Sequence, residues 1–319
     1  MTKNFQLIPT LLLLASLPAS LSAQADEQCK LALSVPSILI NWNTNFHFQA
    51  VQFNVTRTNG SACNYAVAFS NGGAADYNRR MISGFSSLRY QLYGDSSLTQ
   101  ILKDRPDANV PANVITGSFG SGGGSNVTQS KTFYVEVPQD LATTPVLKPS
   151  GNYLDTFTAR AYVLQNGNSL DDLETAAPVV IMTTIPKFLD LSIVSSGGAF
   201  NESSTSYAVN FGTLSGNDSR AFDLRIRSNA GFKVFFSSQN NGKLKQASLD
   251  AQIPYTLKVD SVAQNLSSSA IQPVQVMSGS GQTSLNGVAK AVSITTGDVS
   301  QSLAGNYSDY ITVTAMTTD

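Results

Sequence analysis

Apolar and polar residues alternate with a period of two along most of this chain, and helical periodicity is nearly absent. "FNVTRT" (53–58), "YAVAF" (65–69), "LRYQLY" (88–93) and "TFYVEVP" (132–138) read as strands bounded by Gly, Asn, Ser or Pro clusters. The habit returns in "FLDLSIV" (188–194), "AFDLRIR" (221–227), "FKVFF" (232–236) and "IPYTLKV" (253–259). Short strands at close spacing with turn signals between them predict an all-β chain of tandem, immunoglobulin-like antiparallel sandwiches.

The strands also repeat. "YAVAFSNGG" answers "FKVFFSSQNNG", "LRYQLYGD" answers "IPYTLKVD", and "GNYLDTFTARAYV" from Gly151 answers "GNYSDYITVTAMTTD" from Gly305. In the last pair Tyr153 and Tyr307 each stand before an alternating strand, where sandwiches often place a corner tyrosine. The expected division is therefore one sandwich over 26–185 and a second over 186–319.

After the first copy of the closing motif the chain passes through "QNGNSLDDLE" into "APVVIMTTIP", an apolar run suited to a sealing strand. After the second copy no such run follows, and the second sandwich is expected to lack its last strand. Leu189, Leu191 and Ile193 on its first strand, and Ile311, Val313 and Ala315 on its last, would then face an open groove. An exposed sheet edge of this kind is an aggregation hazard. A foreign strand with three or four alternating apolar residues would repair it, contributing about 5–12 kcal/mol before ordering costs. The alternative is a six-strand sandwich that is complete as it stands.

Composition narrows the setting. Lys3 precedes the apolar run "LIPTLLLLASL", and Ala23-Gln24-Ala25 has the small-residue pattern of a cleavage site, so residues 1–25 read as a signal peptide. As a membrane anchor the run is short, since a span needs roughly 18 apolar residues. The remaining chain of about 290 residues favours two domains over one. Charged residues make up 13% of the chain, against roughly 25% in ordinary soluble domains. With a net charge of −1 there is no basic stripe for nucleic acid or anionic lipid.

Cys29 and Cys63 are the two cysteines, and in an exported chain such a pair is most simply a disulfide. A metal site would want companions, and His47, within "NFHF", is the one histidine. That histidine also leaves a serine triad without context, and "GSGGG" (120–124) lacks the Lys-Ser/Thr and helix of a phosphate cradle. No catalytic residue, cofactor or metal is expected, and the chain does not read as an enzyme.

"YNRRMISGFSSLRYQLYGD" followed by "GNYLDTFTARAYV" resembles the spore coat protein U domain, the fold of archaic (Csu-type) chaperone–usher pilus subunits. "VNFGTL", "SNAGFKVFFSSQNNGKLK" and "AGNYSDYITVTAMTTD" resemble the pilin domain at the rear of two-domain tip adhesins. The resemblance implies export through the periplasm to the cell surface and a place at the pilus tip. Its implied partners are a periplasmic pilus chaperone, an outer-membrane usher and an adjacent subunit that donates a strand. Fibre-body subunits of that family carry a donor extension before their first cysteine. Here Cys29 is the fourth residue after Ala25, which implies a subunit that accepts a strand and gives none. The Trp-Gly pair that often follows the Leu-Tyr-Asp motif is absent; the stretch reads "SSLTQILKD".

Strand direction places the loop 104–130 at the end away from the second sandwich, together with the turn near Cys63 and the loop 164–177. Val110, Val114, Ile115 and Phe119 in that loop are candidate apolar tips for binding an abiotic or host surface, unless 114–119 forms one more buried strand. Trp42 in "VPSILINWNTNF" is a further contact candidate, with core packing as its alternative. A tip adhesin that promotes attachment and biofilm formation is the leading functional expectation. A capping or coat subunit without a receptor, and a sugar-specific lectin, are the alternatives.

Overall fold

The structure is a computed structural model, and it describes residues 28–42, 48–121, 126–138, 147–165 and 169–318. The expected leader (1–25), His47 and most of the "GSGGG" run lie outside the described residues.

The described residues are all-β, with no helix among them, and their strands fall into two sets. The front set comprises β1 (Lys30–Ser34), β2 (Ile38–Ile40), β3 (Phe48–Asn59), β4 (Cys63–Phe69), β5 (Arg80–Ser83), β6 (Ser86–Arg89), β7 (Gln91–Tyr93), β8 (Ile115–Phe119), β9 (Val127–Glu136), β10 (Gly151–Gln165) and β11 (Ser169–Ile185). The rear set comprises β12 (Leu189–Ser195), β13 (Ser219–Ser228), β14 (Phe232–Ser238), β15 (Lys243–Gln246), β16 (Gln252–Val259), β17 (Val262–Gln264), β18 (Val274–Gly279), β19 (Val288–Thr296), β20 (Tyr307–Ser308) and β21 (Ile311–Thr317).

In the front set one sheet runs β1-β3-β9-β7 and the other β2-β11-β10-β4-β8, with the β5–β6 hairpin beside β10. In the rear set one sheet runs β12-β13-β19-β16-β15-β20 and the other β18-β14-β21. The two halves therefore repeat strand for strand: β1-β3-β9-β7 corresponds to β12-β13-β19-β16, and β10-β4-β8 to β21-β14-β18. The sequence repeats fall on matching strands, as a duplicated sandwich requires. Among the described residues, what has no rear counterpart is the flank of β10, where β11 lies between β10 and β2, antiparallel to the first and parallel to the second.

Alternation explains the cores. In β3 the inward Val51, Phe53 and Val55 are buried while their neighbours face out. Phe53, Phe69 and Phe133 meet with ring centroids 5.0–6.1 Å apart, and Phe157 joins them through Phe69 at 6.1 Å. The rear core is built around Leu224, Ile226, Val234, Phe236, Leu257 and Val292. Cys29 and Cys63 form the expected disulfide, tying the chain just before β1 to the first residue of β4.

The two sets meet at a short link after β11. The side chain of Asn229 donates to the Pro186 carbonyl (2.9 Å) and accepts from the Phe188 amide (2.7 Å), while its own carbonyl accepts from the Ser150 amide (3.0 Å). One buried asparagine thus holds the link to both halves.

Candidate functional site

The groove of the rear sandwich is best understood from the matching flank of the front one. β10 pairs with β4 on one side and with β11 on the other. Val179, Ile181, Thr183 and Ile185 of β11 point inward and are buried. They lie opposite Phe157, Asp155, Tyr153 and Gly151. Under that cover Phe157, Ala159 and Ala161 are buried too.

β21 pairs with β14 from Ser238↔Ile311 to Phe232↔Thr317, and no described strand pairs with its other edge. Ile311, Val313 and Ala315, which match Phe157, Ala159 and Ala161, remain half-buried. Leu189, Leu191 and Ile193 on β12 are half-buried as well, and all six side chains touch the rear core. The six residues expected to line an open groove thus contact one core from two strands.

Two adjoining cavities occupy the space where a covering strand would lie. One, of about 650 Å³, is lined by Leu191, Ile193, Phe236, Ile311 and Val313. The other, of about 820 Å³, continues past Tyr307 to Leu303 and Gly305. Val209 and Phe211, separated by the exposed Asn210, line both. Their alternation gives that segment the inward-outward character of β2 in the front half.

Polar groups at the groove floor satisfy one another. The Asp309 carboxylate accepts hydrogen bonds from the hydroxyls of Tyr255 (2.6 Å) and Ser238 (2.5 Å) and from the amides of Asn240 (3.0 Å) and Tyr310 (2.8 Å). Burial, then the bond to Asp309, holds the Tyr255 phenol well above its ordinary pKa. The front half repeats the pair: Asp155 accepts from Tyr90 (2.7 Å) and from the amides of Gly73 and Thr156. Both corner tyrosines form as well, Tyr153 donating to the Pro149 carbonyl (2.9 Å) and Tyr307 to that of Leu303 (2.8 Å). Tyr153 is buried beneath β11, whereas Tyr307 stays half-buried in the open cavity.

The expected apolar loop tips need correction. Val114 is 2% exposed and packs with Val110, Tyr162 and Leu170 on the outer face of β4 and β10. The loop is pinned there by Asp104, which pairs with Arg160 and accepts from the Tyr162 hydroxyl at 2.9 Å. Ile115 begins β8 and Phe119 ends it, 3% exposed and stacked on Tyr65 at 5.1 Å. The buried-strand alternative describes 114–119, and 104–114 covers a sheet face instead of projecting from an end. Trp42 is half-buried against the front core, which favours its packing role.

Apolar surface is exposed elsewhere. Leu39, Met182, Leu154 and Ile82 stand in direct register across β2, β11, β10 and β5, pointing outward. Their exposures run from 41% at Met182 to 59% at Leu39. Phe85, at the tip of the β5–β6 hairpin, is fully exposed. Residue-by-residue reading missed this row because it exists only once four strands are aligned.

The "YNRR" hairpin, Tyr90, Asp155 and the Tyr153 corner all fall within one stretch that matches a known family. Residues 15–160 match the Spore Coat Protein U domain. The match covers a little under half the chain and ends within β10, before β11 and the rear sandwich. No curated protein matches the chain. Among solved structures, a chain of the CsuC–CsuE chaperone–tip adhesion subunit complex of Acinetobacter baumannii is 13% identical, with 89% of this chain and 99% of that one covered and a TM-score of 0.40. The CupB6 tip adhesin of Pseudomonas aeruginosa is 10% identical over 90% and 95% of the two chains, with a TM-score of 0.43. The CFA/I adhesin CfaE of enterotoxigenic E. coli is 13% identical over 90% and 94%, with a TM-score of 0.39.

Proposed function

We propose that this chain is the tip subunit of a bacterial chaperone–usher pilus. Residues 186–319 form a sandwich that accepts a strand from another polypeptide, and residues 26–185 form the module that meets a surface. The observation that carries the reading is the contrast between two equivalent strands, β10 flanked by β11 and β21 with its second edge unpaired among the described residues. The Spore Coat Protein U match of the front half supports the same family context. In this reading a periplasmic chaperone fills the groove first, an adjacent subunit fills it in the fibre, and an outer-membrane usher passes the subunit to the cell surface.

The exposed row Leu39–Met182–Leu154–Ile82 with Phe85 favours adhesion over a purely capping role, because an apolar patch of this kind ordinarily marks a contact. It also favours an uncharged apolar abiotic or host surface over a sugar, which would want polar groups at fixed positions. The test is a paired count of fibres and attached cells for a producing strain with Phe85→Asp and Ile82→Asp. Normal fibre number with attachment to plastic and host cells reduced at least tenfold is expected. Unchanged attachment would leave the capping role.

A further inference from the structure

The front sandwich contains a worked example of what the rear groove lacks. We propose that the strand taken by the groove repeats the register and residue classes of β11, so that this chain's own segment 177–185, as a free peptide, is a ligand for it. This rests on the strand-accepting reading above and adds the direction, frame and side-chain sizes of the occupant.

The frame follows from matching β10 to β20 and β21. Gly151, Tyr153, Asp155, Phe157 and Ala159 correspond to Gly305, Tyr307, Asp309, Ile311 and Val313. Across the front ladder these face Ile185, Thr183, Ile181, Val179 and Ala177. The occupant therefore runs antiparallel to β21, and parallel to the Val209–Phe211 segment as β11 does to β2.

Each position has a physical reason. Over Tyr307, whose ring is held by the bond to Leu303, a small β-branched residue fits as Thr183 fits over Tyr153. Thr183 also donates to the Ile40 carbonyl across the parallel ladder (2.8 Å), a bond that a threonine in the rear groove could make to the Val209–Phe211 segment. Over Asp309 the occupant is aliphatic, as Ile181 is over Asp155. With four donors already on it, Asp309 offers nothing to a polar newcomer and repels an acidic one. Over Ile311 the front template is smaller, Val179 on Phe157; since isoleucine is smaller than phenylalanine, that position accepts valine or larger. Over Gly305 an aliphatic matching Ile185 closes the second cavity beside Leu303.

Four labelled peptides test this against residues 26–319: 177–185 itself, the same with Ile181→Asp, the same with Met182→Asp, and the reversed sequence. A peptide with alternating Val and Thr in neither frame serves as a general strand. The native peptide should bind, Ile181→Asp should bind about 100-fold more weakly, and Met182→Asp, altered on the outward face, should bind within about threefold. Equal weakening by the two aspartates, equal binding of the reversed peptide, or binding of the general strand alone would overturn the register while leaving the groove intact. If no peptide binds, the strand-accepting reading itself fails.

Discussion

The Tyr255 hydroxyl donates to the Asp309 carboxylate at 2.6 Å, and the Tyr90 hydroxyl donates to Asp155 at 2.7 Å in the other half of the molecule. The two pairs occupy equivalent places in the repeat: Tyr90, between β6 and β7, matches Tyr255 in β16, and Asp155 in β10 matches Asp309 just before β21. One pair is sealed beneath β11, while the other lines the open cavity.

Removing that hydroxyl has a defined cost. Tyr255→Phe should destabilise the rear sandwich by about 1–3 kcal/mol, because it leaves a carboxylate short of a donor in a partly desolvated site. Denaturant unfolding of residues 26–319 with and without the substitution measures it.

The same pair sets an alkaline limit. Folding raises the Tyr255 and Tyr90 phenols above the ordinary 10.0, chiefly by burial and then through their aspartates, so the fold favours the protonated form. This stabilisation is complete below pH 10.0 and is lost as pH rises from there through the folded-state values. Melting temperature should fall steeply above that pH, and less steeply for the rear transition in Tyr255→Phe.

The Cys29–Cys63 bond closes a loop with a sequence separation of 34. Reducing it, or substituting both residues with serine, should cost roughly 3–4 kcal/mol of front-sandwich stability and leave the rear transition unchanged. Calorimetry with and without reductant separates the two transitions.

Much of this architecture was legible from alternation alone: β3, β4, β9 and β12–β14 fall where the apolar pattern placed strands. β19 was missed although it is the central strand between β13 and β16. Its inward Val292 and Ile294 do alternate, but the preceding Ala-Lys-Ala dilutes the pattern. β8 fell within the loop 104–130, with a buried strand over 114–119 as the alternative, and Gly117 interrupts its apolar pattern. That glycine is there because a Cβ would come within 2.4 Å of the Tyr65 ring. Leu191, Ile193, Ile311 and Val313, which line the rear cavity, could be named from the sequence because comparing the two copies of a repeat shows where they differ. The outward row from Leu39 to Ile82 was not, because register between distant strands is not written in either strand.

Burial also reverses the consequence of one substitution. Phe119→Ala should cost about 3–5 kcal/mol of front-sandwich stability, since the ring is enclosed against Tyr65. Phe85→Asp should change stability by less than about 0.5 kcal/mol, since its ring lies in solvent. Thermal unfolding of the two variants side by side checks the contrast.

The account turns on an unfilled place beside β21, and amide hydrogen exchange across 205–211 and 307–317 reads it directly. Residues 26–319 alone should exchange fast there and melt early. Fusing a β11-like strand after Asp319 should protect both segments and raise the rear melting temperature by about 15 °C or more. Slow exchange at both segments in the unfused monomer, with no gain from the added strand, would contradict it.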